Sequence, residues 1–441
     1  MQDTFVKIKN AQVLATSDLR RSALLIAESG LRAIDTKTAV KKAVSIQGDH
    51  LCINESICSI KAVKRIFVVG VGKCATEAAE ALEDMLGDRL AGGIVLDVKL
   101  LEICTLKKIK CFSGTHPFPT DANVAITREI VTLLDGLKED DLVIVVVSGG
   151  GSTLLCLPAP EATCVEESMI VQELMRAGAA IYEINTVRKH MSRARGGHLA
   201  RYAHPAQVIS LIFSDVPGNT MEFVASGPTM KDTTTVSDAS IILLKYNILE
   251  KCGLSNAVLI ETPKDDIYFQ NVMNIMIVSN ELALDAMGET ARQLGFTPDI
   301  RPLYLKDEAR EVGKNIIQEI HQKDFGACIL AGGETTVTIK GPGKGGRNQE
   351  LALSALRNIE PNEVVLTLAS DGRDNGEYAG AIIDSVAHDF ALTNNLDIEK
   401  YLSDNNATLF FEKGGGLIAT GNTGSNVSDL LVVLKDKQAK K

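Results

Sequence analysis

The chain has 441 residues, and its 46 Lys and Arg against 56 Asp and Glu leave a formal net charge of −10. That length exceeds one ordinary core, so two domains are expected, and the acidic balance argues against nucleic acid, whose phosphates seek positive surfaces. Nine cysteines without CxxC spacing read as reduced thiols rather than a disulfide framework or a zinc site. Trp is absent, aromatic residues make up 4%, and Ala, Val, Ile and Leu dominate alongside 36 Gly, the palette of parallel α/β sheets. No run approaches the ~20 apolar residues of a membrane helix, and the first residues lack a signal-peptide core, so a cytoplasmic chain without a membrane partner is expected.

Residues 10–45 carry apolar positions at helical spacing, among them Leu24, Leu25, Leu31 and Ile34. They read as one or two amphipathic helices with Arg20, Arg21 and Lys37 on a solvated face. The first strand signal is residues 66–69, which run into Gly70-Val71-Gly72-Lys73-Cys74-Ala75 and then an Ala/Glu/Leu-rich helix. Asp97 ends the next strand, residues 94–98, where a dinucleotide-binding fold carries its acidic residue. Two readings stand for these glycines: a dinucleotide turn, or close packing of helix on strand. Lys73, an ammonium at the helix entry, is no part of the dinucleotide fingerprint and suits a phosphate or carboxylate.

A loop with Thr115, His116 and Pro117 follows, and Asp121 is placed as the cap of the next helix. Residues 141–152, DLVIVVVSGGGS, make a buried strand ending in Ser148, Gly149, Gly150, Gly151 and Ser152, whose consecutive N–H groups could wrap a phosphate or form a tight turn. The stretch INTVRKHMSRARGGHLA concentrates Arg188, Lys189, His190, Arg193, Arg195 and His198. It is either an exposed basic face or a ligand approach made close by Gly196-Gly197. The strand at 208–213 delivers Asp215 and then a turn at 216–219; a carboxylate at such a strand end faces the crevice of an open sheet or caps the turn.

A polar connector, 262–266, marks the domain boundary. Beyond it, a strand at 274–278 ends at Ser279-Asn280, a helix runs over 281–294 and another strand over 299–304. Residues 327–353 read ACILAGGETTVTIKGPGKGGRNQELAL. An apolar run ends in Gly332-Gly333-Glu334, a β-branched strand spans 335–339, and a glycine-rich loop with Lys340, Lys344 and Arg347 leads to a helix starting near Asn348. Glycine beside positive charge at a helix N-terminus is the composition of an anion cradle. After the strand at 364–369, Asp371, Gly372 and Asp374 suit Mg²⁺ or an Asp-Gly turn. A terminal strand covers 430–434.

Several of these strings together resemble the glycerate 2-kinase family. GGETTVTIKGPGKGGRNQEL and SDGRDNGEYAGAIIDS are similar to successive blocks of its MOFRL domain. VVGVGKCA, SGTHPFPTDAN, VSGGGSTLL, INTVRKHMSRARGGHLA, FSDVPGN and VASGPT are similar to blocks of its N-terminal domain, in the same order. The resemblance implies an α/β fold of two domains with the active site in the cleft between them. Residues 1–265 would be a Rossmann-like doubly wound, mostly parallel sheet. Residues 266–441 would be an α/β domain containing the MOFRL region, about 325–435, with the C-terminal tail returning to the first domain.

It implies transfer of the γ-phosphoryl of ATP to the 2-hydroxyl of D-glycerate with Mg²⁺, by a monomer or homodimer. Lys73 and Arg347 are the implied catalytic residues, with Asp215 accepting the alcohol proton or steering the metal. Gly72, Ser148, Gly149, Gly150, Gly151, Ser152, Lys189, Asn280, Glu334, Gly346 and Asn348 would bind substrate or nucleotide, and Asp371 and Asp374 the metal. The chain departs from the family block at Arg373 and Glu377. Without a GxxxxGK[ST] loop or the protein-kinase motif set, its ATP site would be unlike those two classes. A nicotinamide-dependent oxidoreductase of a short 2-hydroxy acid, resting on GVGKCA and Asp97, and a non-catalytic anion or sugar-phosphate binder are the rival readings.

Overall fold

A computed structural model describes residues 5–98, 105–215 and 220–438. The turn expected at 216–219 lies outside them. In chain order the strands are β1 (Val44–Gln47), β2 (His50–Ile53), β3 (Ser56–Ser59), β4 (Arg65–Val71), β5 (Leu90–Asp97), β6 (Ile109–Ser113), β7 (Asp141–Val147), β8 (Gln207–Phe213), β9 (Val272–Val278), β10 (Thr297–Leu305), β11 (Ala327–Gly333), β12 (Glu363–Ala369), β13 (Gly380–Asp384), β14 (Leu417–Ile418) and β15 (Asp429–Lys435).

The chain forms two units, and they do not divide the sequence at a single point. One holds residues 39–214 and 220–277; the other holds the residues before 39, Asp215 and everything from Val278 onward. The linear boundary at 265/266 is therefore displaced, and the first helices belong with the C-terminal half. The reason is local burial: the helix Asp18–Ala33 packs on the helix Asn280–Gln293, where a Cβ at Gly30 would lie 2.7 Å from the Met287 side chain. Arg20 is not on a solvated face. It is 7% exposed and forks onto Asp384 at 2.7 and 2.9 Å, whereas Arg21 and Lys37 are exposed as expected.

In the first unit the main sheet runs β6-β5-β4-β7-β8-β9. Neighbours from β6 to β8 are parallel, as the Val/Ile runs predict. All seven residues of β7 are buried, so helices cover both faces. Strand order reverses between β4 and β7, the doubly wound arrangement whose crevice lies at the carboxyl ends of those two strands. Residues 44–59 form a separate antiparallel sheet, β1-β2-β3, which begins at the end of the stretch expected to be helical, 10–45, and covers residues for which no element was expected. Thr120, not Asp121, is the N-cap of the helix Asp121–Asp135, with Asn123 completing a capping box.

The second unit has a mixed sheet, β10-β11-β15-β12-β13-β14. Only β10 and β11 are parallel; β15 enters antiparallel between β11 and β12, so the C-terminal strand stays in this unit. The helices Ala309–His321 and Arg347–Leu356 cover one face with Ile316, Ile317, Ile320, Leu351 and Ala355. They touch closely, since a Cβ at Gly313 would meet Leu351 O at 2.3 Å. Residues 335–339 are not a strand. Both edges of β11 are already paired, and the segment makes a single bridge, Glu308 to Thr336, leaving Ile339 81% exposed. No described helix is long and apolar enough to cross a membrane.

Candidate active site

In the parallel-sheet unit, the loops after β4 and β7 meet at the switch point. Ser148 N donates to Val71 O at 3.0 Å and Lys73 N to Gly149 O at 2.9 Å. Gly72 has φ +124°, and a Cβ there would lie 2.1 Å from Ser148 Oγ, so glycine is what lets the two loops close on each other. Ser148 is thereby buried as a loop support, with Cys74 N donating to its hydroxyl at 3.4 Å. No acceptor among the described residues takes the Gly149 and Gly150 amides. The Lys73 side chain is exposed beside them, its Cγ and the His116 ring both within 3.4 Å of a Cβ position at Gly150. Burial, then the charges of Lys73 and Arg188, hold the His116 imidazole below its usual range. An exposed ammonium next to two unpaired amides and a neutral imidazole defines an anion-receiving surface.

Ser152 lies one turn further on, its hydroxyl 3.0 Å from that of Ser226, which donates to Asn185 Oδ1 at 2.7 Å. Gly151 fits because a Cβ there would sit 2.6 Å from the Ala225 Cβ. Asp97, by contrast, is 3% exposed and accepts from Thr76 N at 3.0 Å and Val98 N at 2.7 Å. Its carboxylate caps the helix Ala75–Leu86, and a ribose hydroxyl would have to displace those bonds.

The basic stretch 188–198 is largely interior rather than an exposed face. Lys189, expected to bind substrate, is 5% exposed and pairs with Asp232 at 3.2 Å. His190 binds Ile260 O at 2.9 Å and lies 3.2 Å from Thr234 Oγ1. Arg195 is fully buried against Glu167 at 2.6 Å. Gly196 and Gly197 donate to the backbone of Ser226 and Gly227, so the close approach they permit is by another segment of the same chain. Arg188 differs: its guanidinium has no ion pair or hydrogen bond among the described residues. Burial and then the Arg195 charge pull its pKa down to about 10, with Glu167 acting the other way. A half-buried cation with no ion pair among the described residues suits an incoming anion.

In the mixed-sheet unit, Arg347 opens the helix Arg347–Leu356. Its Nε and Nη2 donate to Asp429 at 2.6 and 3.0 Å, and Nη1 lies 2.7 Å from Glu334 Oε1. Asp429, the first residue of β15, is 1% exposed; burial lifts its carboxyl to about 7 against the pull of Arg347. Burial likewise acts against the Arg347 charge, but the Asp429 bonds outweigh it and the guanidinium stays firmly protonated. Asn280 donates to Val427 O at 2.7 Å, and a Cβ at Gly332 would overlap it at 1.7 Å. Asn280 therefore braces the ends of β11 and β15, just where Glu334 and Asp429 emerge.

The glycine-rich loop holds protein rather than an open cradle. Lys340 N and Gly341 N donate to Asn405 Oδ1 at 2.7 and 3.0 Å, Gly343 N to Asp404 O at 2.9 Å, and Lys344 N to Asn406 Oδ1 at 3.2 Å. Gly346 fits because a Cβ would lie 2.1 Å from Asp374 O. The helix N-terminus is occupied too: Asp374, 3% exposed, accepts from Asn348 N at 3.1 Å and Gln349 N at 2.8 Å. Asn348 is buried, donating to Asp374 and accepting from Thr367 at 2.5 Å. Asp374 thus fits a helix cap better than a metal ligand. Asp371 is partly exposed and accepts from Arg373 N at 2.9 Å through one oxygen. Arg373 and Glu377 line an open depression of about 550 Å³ with Gly372, Asn375 and Asn422. Asp215 is half-buried after β8, and its carbonyl accepts from Ser428 Oγ at 2.9 Å.

Asp429 and Arg188 escape a reading by motif. Asp429 is 82 residues from Arg347 in sequence; its only signal is a carboxylate opening a strand whose next five residues are apolar. Arg188 is one of six clustered basic groups, and only packing tells which lacks a partner.

A doubly wound sheet with a cationic switch point, joined in one chain to a mixed sheet carrying a forked arginine, is the class of a two-unit α/β enzyme that handles anionic small molecules. Residues 22–259 match the family described as a Domain of unknown function (DUF4147), and residues 327–429 match the MOFRL family. A glycerate 2-kinase of Pyrococcus horikoshii is 36% identical over 95% of this chain and 97% of its own length. A D-glycerate 2-kinase of Thermotoga maritima is 35% identical over 90% and 96%. The crystal structure of a glycerate kinase from Thermotoga maritima superposes with a TM-score of 0.83 at 32% identity, covering 94% of this chain and 99% of that one. The chain belongs to the glycerate 2-kinase family.

Proposed function

We infer that this chain is a glycerate 2-kinase, transferring the γ-phosphoryl of ATP to the 2-hydroxyl of D-glycerate to give 2-phosphoglycerate and ADP. The observation that carries the reading is the switch point: the exposed Lys73 ammonium beside the Gly149 and Gly150 amides, unpaired among the described residues, in a chain similar over nearly its whole length to proteins of Pyrococcus horikoshii and Thermotoga maritima that are named glycerate 2-kinases. Phosphoryl transfer asks little covalent work of a protein and much positioning and charge stabilisation.

Lys73 and Arg347 are the proposed catalytic residues. Lys73 is free to follow an anion, whereas Arg347 presents a guanidinium whose plane is set by Asp429. A preset fork stabilises charge that develops during transfer without reorganising at that moment. Gly149, Gly150 and Arg188 are the proposed anion-holding groups of the parallel-sheet unit. Gly72, Gly151, Ser148, Ser152, Asn280, Gly346 and Asn348 shape and support the loops, and Glu334 holds the outer edge of Arg347. Asp215 is proposed to accept the alcohol proton. Mg²⁺ would be carried chiefly by the nucleotide phosphates, with Asp371 the one of the two expected carboxylates that retains an oxygen to offer.

Purified protein with ATP, Mg²⁺ and D-glycerate tests the reading. ADP release coupled to a product identified as the 2-phosphate by phosphorus NMR is the expected result, with Lys73→Ala and Arg347→Ala slower by orders of magnitude, Lys73→Ala at unchanged melting temperature and Arg347→Ala at a lower one because Asp429 loses its partner. NAD(H)-dependent absorbance change without ADP would favour the oxidoreductase instead. Buried, doubly bonded Asp97 speaks against that reading.

A further inference from the structure

At the other end of the mixed sheet, three side chains with donor atoms meet. His321 closes the helix Ala309–His321, Glu363 opens β12, and Glu360 lies in the turn before it. One donor atom from each lies within 4.8 Å of the other two. Six residue steps of β12 at about 3.3 Å separate Glu363 from Ala369, so the cluster is about 20 Å from the Asp371 loop.

Hydrogen bonding leaves this cluster incomplete. Glu363 is 1% exposed; its Oε2 accepts from Glu360 N at 3.0 Å, but its Oε1 is closed off from solvent and has no hydrogen-bond partner among the described residues. His321 Nε2 lies 3.1 Å from Glu363 Oε2 yet makes no hydrogen bond. Lys435 is nearby, but its ammonium donates to the carbonyls of Ile320, His321 and Lys323 at 3.3, 2.9 and 2.9 Å. It closes the helix end and does not hydrogen-bond to the carboxylate. Glu360 is exposed and free to swing inward.

A buried carboxylate oxygen without a donor and an imidazole nitrogen without an acceptor call for one partner that accepts electron pairs from both. We propose that His321, Glu360 and Glu363 form a binding site for a divalent transition-metal ion. One nitrogen and two carboxylate donors match Zn²⁺, Co²⁺ or Ni²⁺ better than Mg²⁺ or Ca²⁺, which take all-oxygen sets. Donors about 2.1 Å from a tetrahedral ion sit about 3.4 Å apart, so the group needs to contract only modestly, and water completes the coordination. Bound metal would tie the end of the helix Ala309–His321 to the start of β12.

The full-length protein, free of nucleotide, is loaded with Zn²⁺ alone, dialysed against metal-free buffer and assayed for retained metal. About one equivalent is expected with a raised melting temperature, and neither in His321→Gln or Glu363→Gln. Because thiols also bind zinc, Co²⁺ substitution supplies an independent readout: weak visible d–d bands without a thiolate charge-transfer band. Turnover of ATP and glycerate in His321→Gln is expected to match the parent. No retained zinc in the parent, undiminished retention in both variants, or a thiolate band with Co²⁺ would each overturn the proposal.

Discussion

Arg347 and Asp429 form a two-bond fork, Nε to Oδ2 at 2.6 Å and Nη2 to Oδ1 at 3.0 Å, with the carboxylate buried at the first residue of a central strand. The fork fixes the guanidinium plane and leaves Nη1 toward Glu334. Asp429→Asn keeps the shape but removes the charge and one acceptor. It should lower kcat/KM for glycerate by about 100-fold, roughly 2.7 kcal/mol of transition-state stabilisation. Arg347→Lys, which cannot fork, should match it. Initial rates in both variants check this, and wild-type kinetics in Asp429→Asn would show that the plane of Arg347 is irrelevant.

Asp374 separates two roles. As a helix cap, its replacement by Asn should cost about 1–2 kcal/mol of stability while leaving the Mg²⁺ concentration for half-maximal rate unchanged. As a metal ligand, the same change would raise that concentration at least about tenfold. A Mg²⁺ titration of Asp374→Asn beside its urea melt distinguishes them.

Arg188 is a half-buried cation without a counter-ion among the described residues. Arg188→Met should weaken binding of the anionic substrate it serves by about 10- to 100-fold in KM, the worth of one or two charge-assisted hydrogen bonds. The same change should hold or raise the melting temperature, since it removes a half-buried charge that no described carboxylate pairs with. A lower melting temperature with unaltered KM would make Arg188 structural.

His198 is 2% exposed with neither ring nitrogen hydrogen-bonded among the described residues, and burial, then the charges of Arg201 and Arg193, push its pKa down to about 3. In the unfolded chain it titrates near 6.5. Below 6.5 the unfolded state therefore takes up a proton that the folded state refuses. The stability contributed by the neutral ring is full above that pH and falls as pH drops, approaching 1.4 kcal/mol per unit. Unfolding free energies at pH 7.5 and 5.5 should differ by about 1.4 kcal/mol more in the parent than in His198→Met. Equal pH dependence in the two would mean the ring is charged or solvated in the folded protein.

Motif spacing singled out Lys73, the serine-triglycine turn and Arg347 as candidates because each is a local pattern: a strand, a glycine that tolerates positive φ or close approach, and a charge at a helix entry. The same locality explains the misplacements. Residues 335–339 are β-branched enough for a strand, but β11 had no free edge to pair with. The glycines at 341–346 look like an anion cradle in composition, yet the backbone at 404–407 and Asp374 fill the space they leave. Lys189 and Arg188 are adjacent and chemically similar in a string of letters; Asp232 satisfies one, and no described residue pairs with the other.

Alone, the amino-acid order settled the αβ alternation, the doubly wound parallel sheet and the family, since these follow from periodicity and from short motifs whose members are neighbours in the chain. Tertiary structure alone decided which charges are partnered. Pairing depends on contacts across large sequence separations, Arg347 with Asp429 and Arg20 with Asp384, and burial makes each such contact stabilising or costly in a way no local pattern encodes.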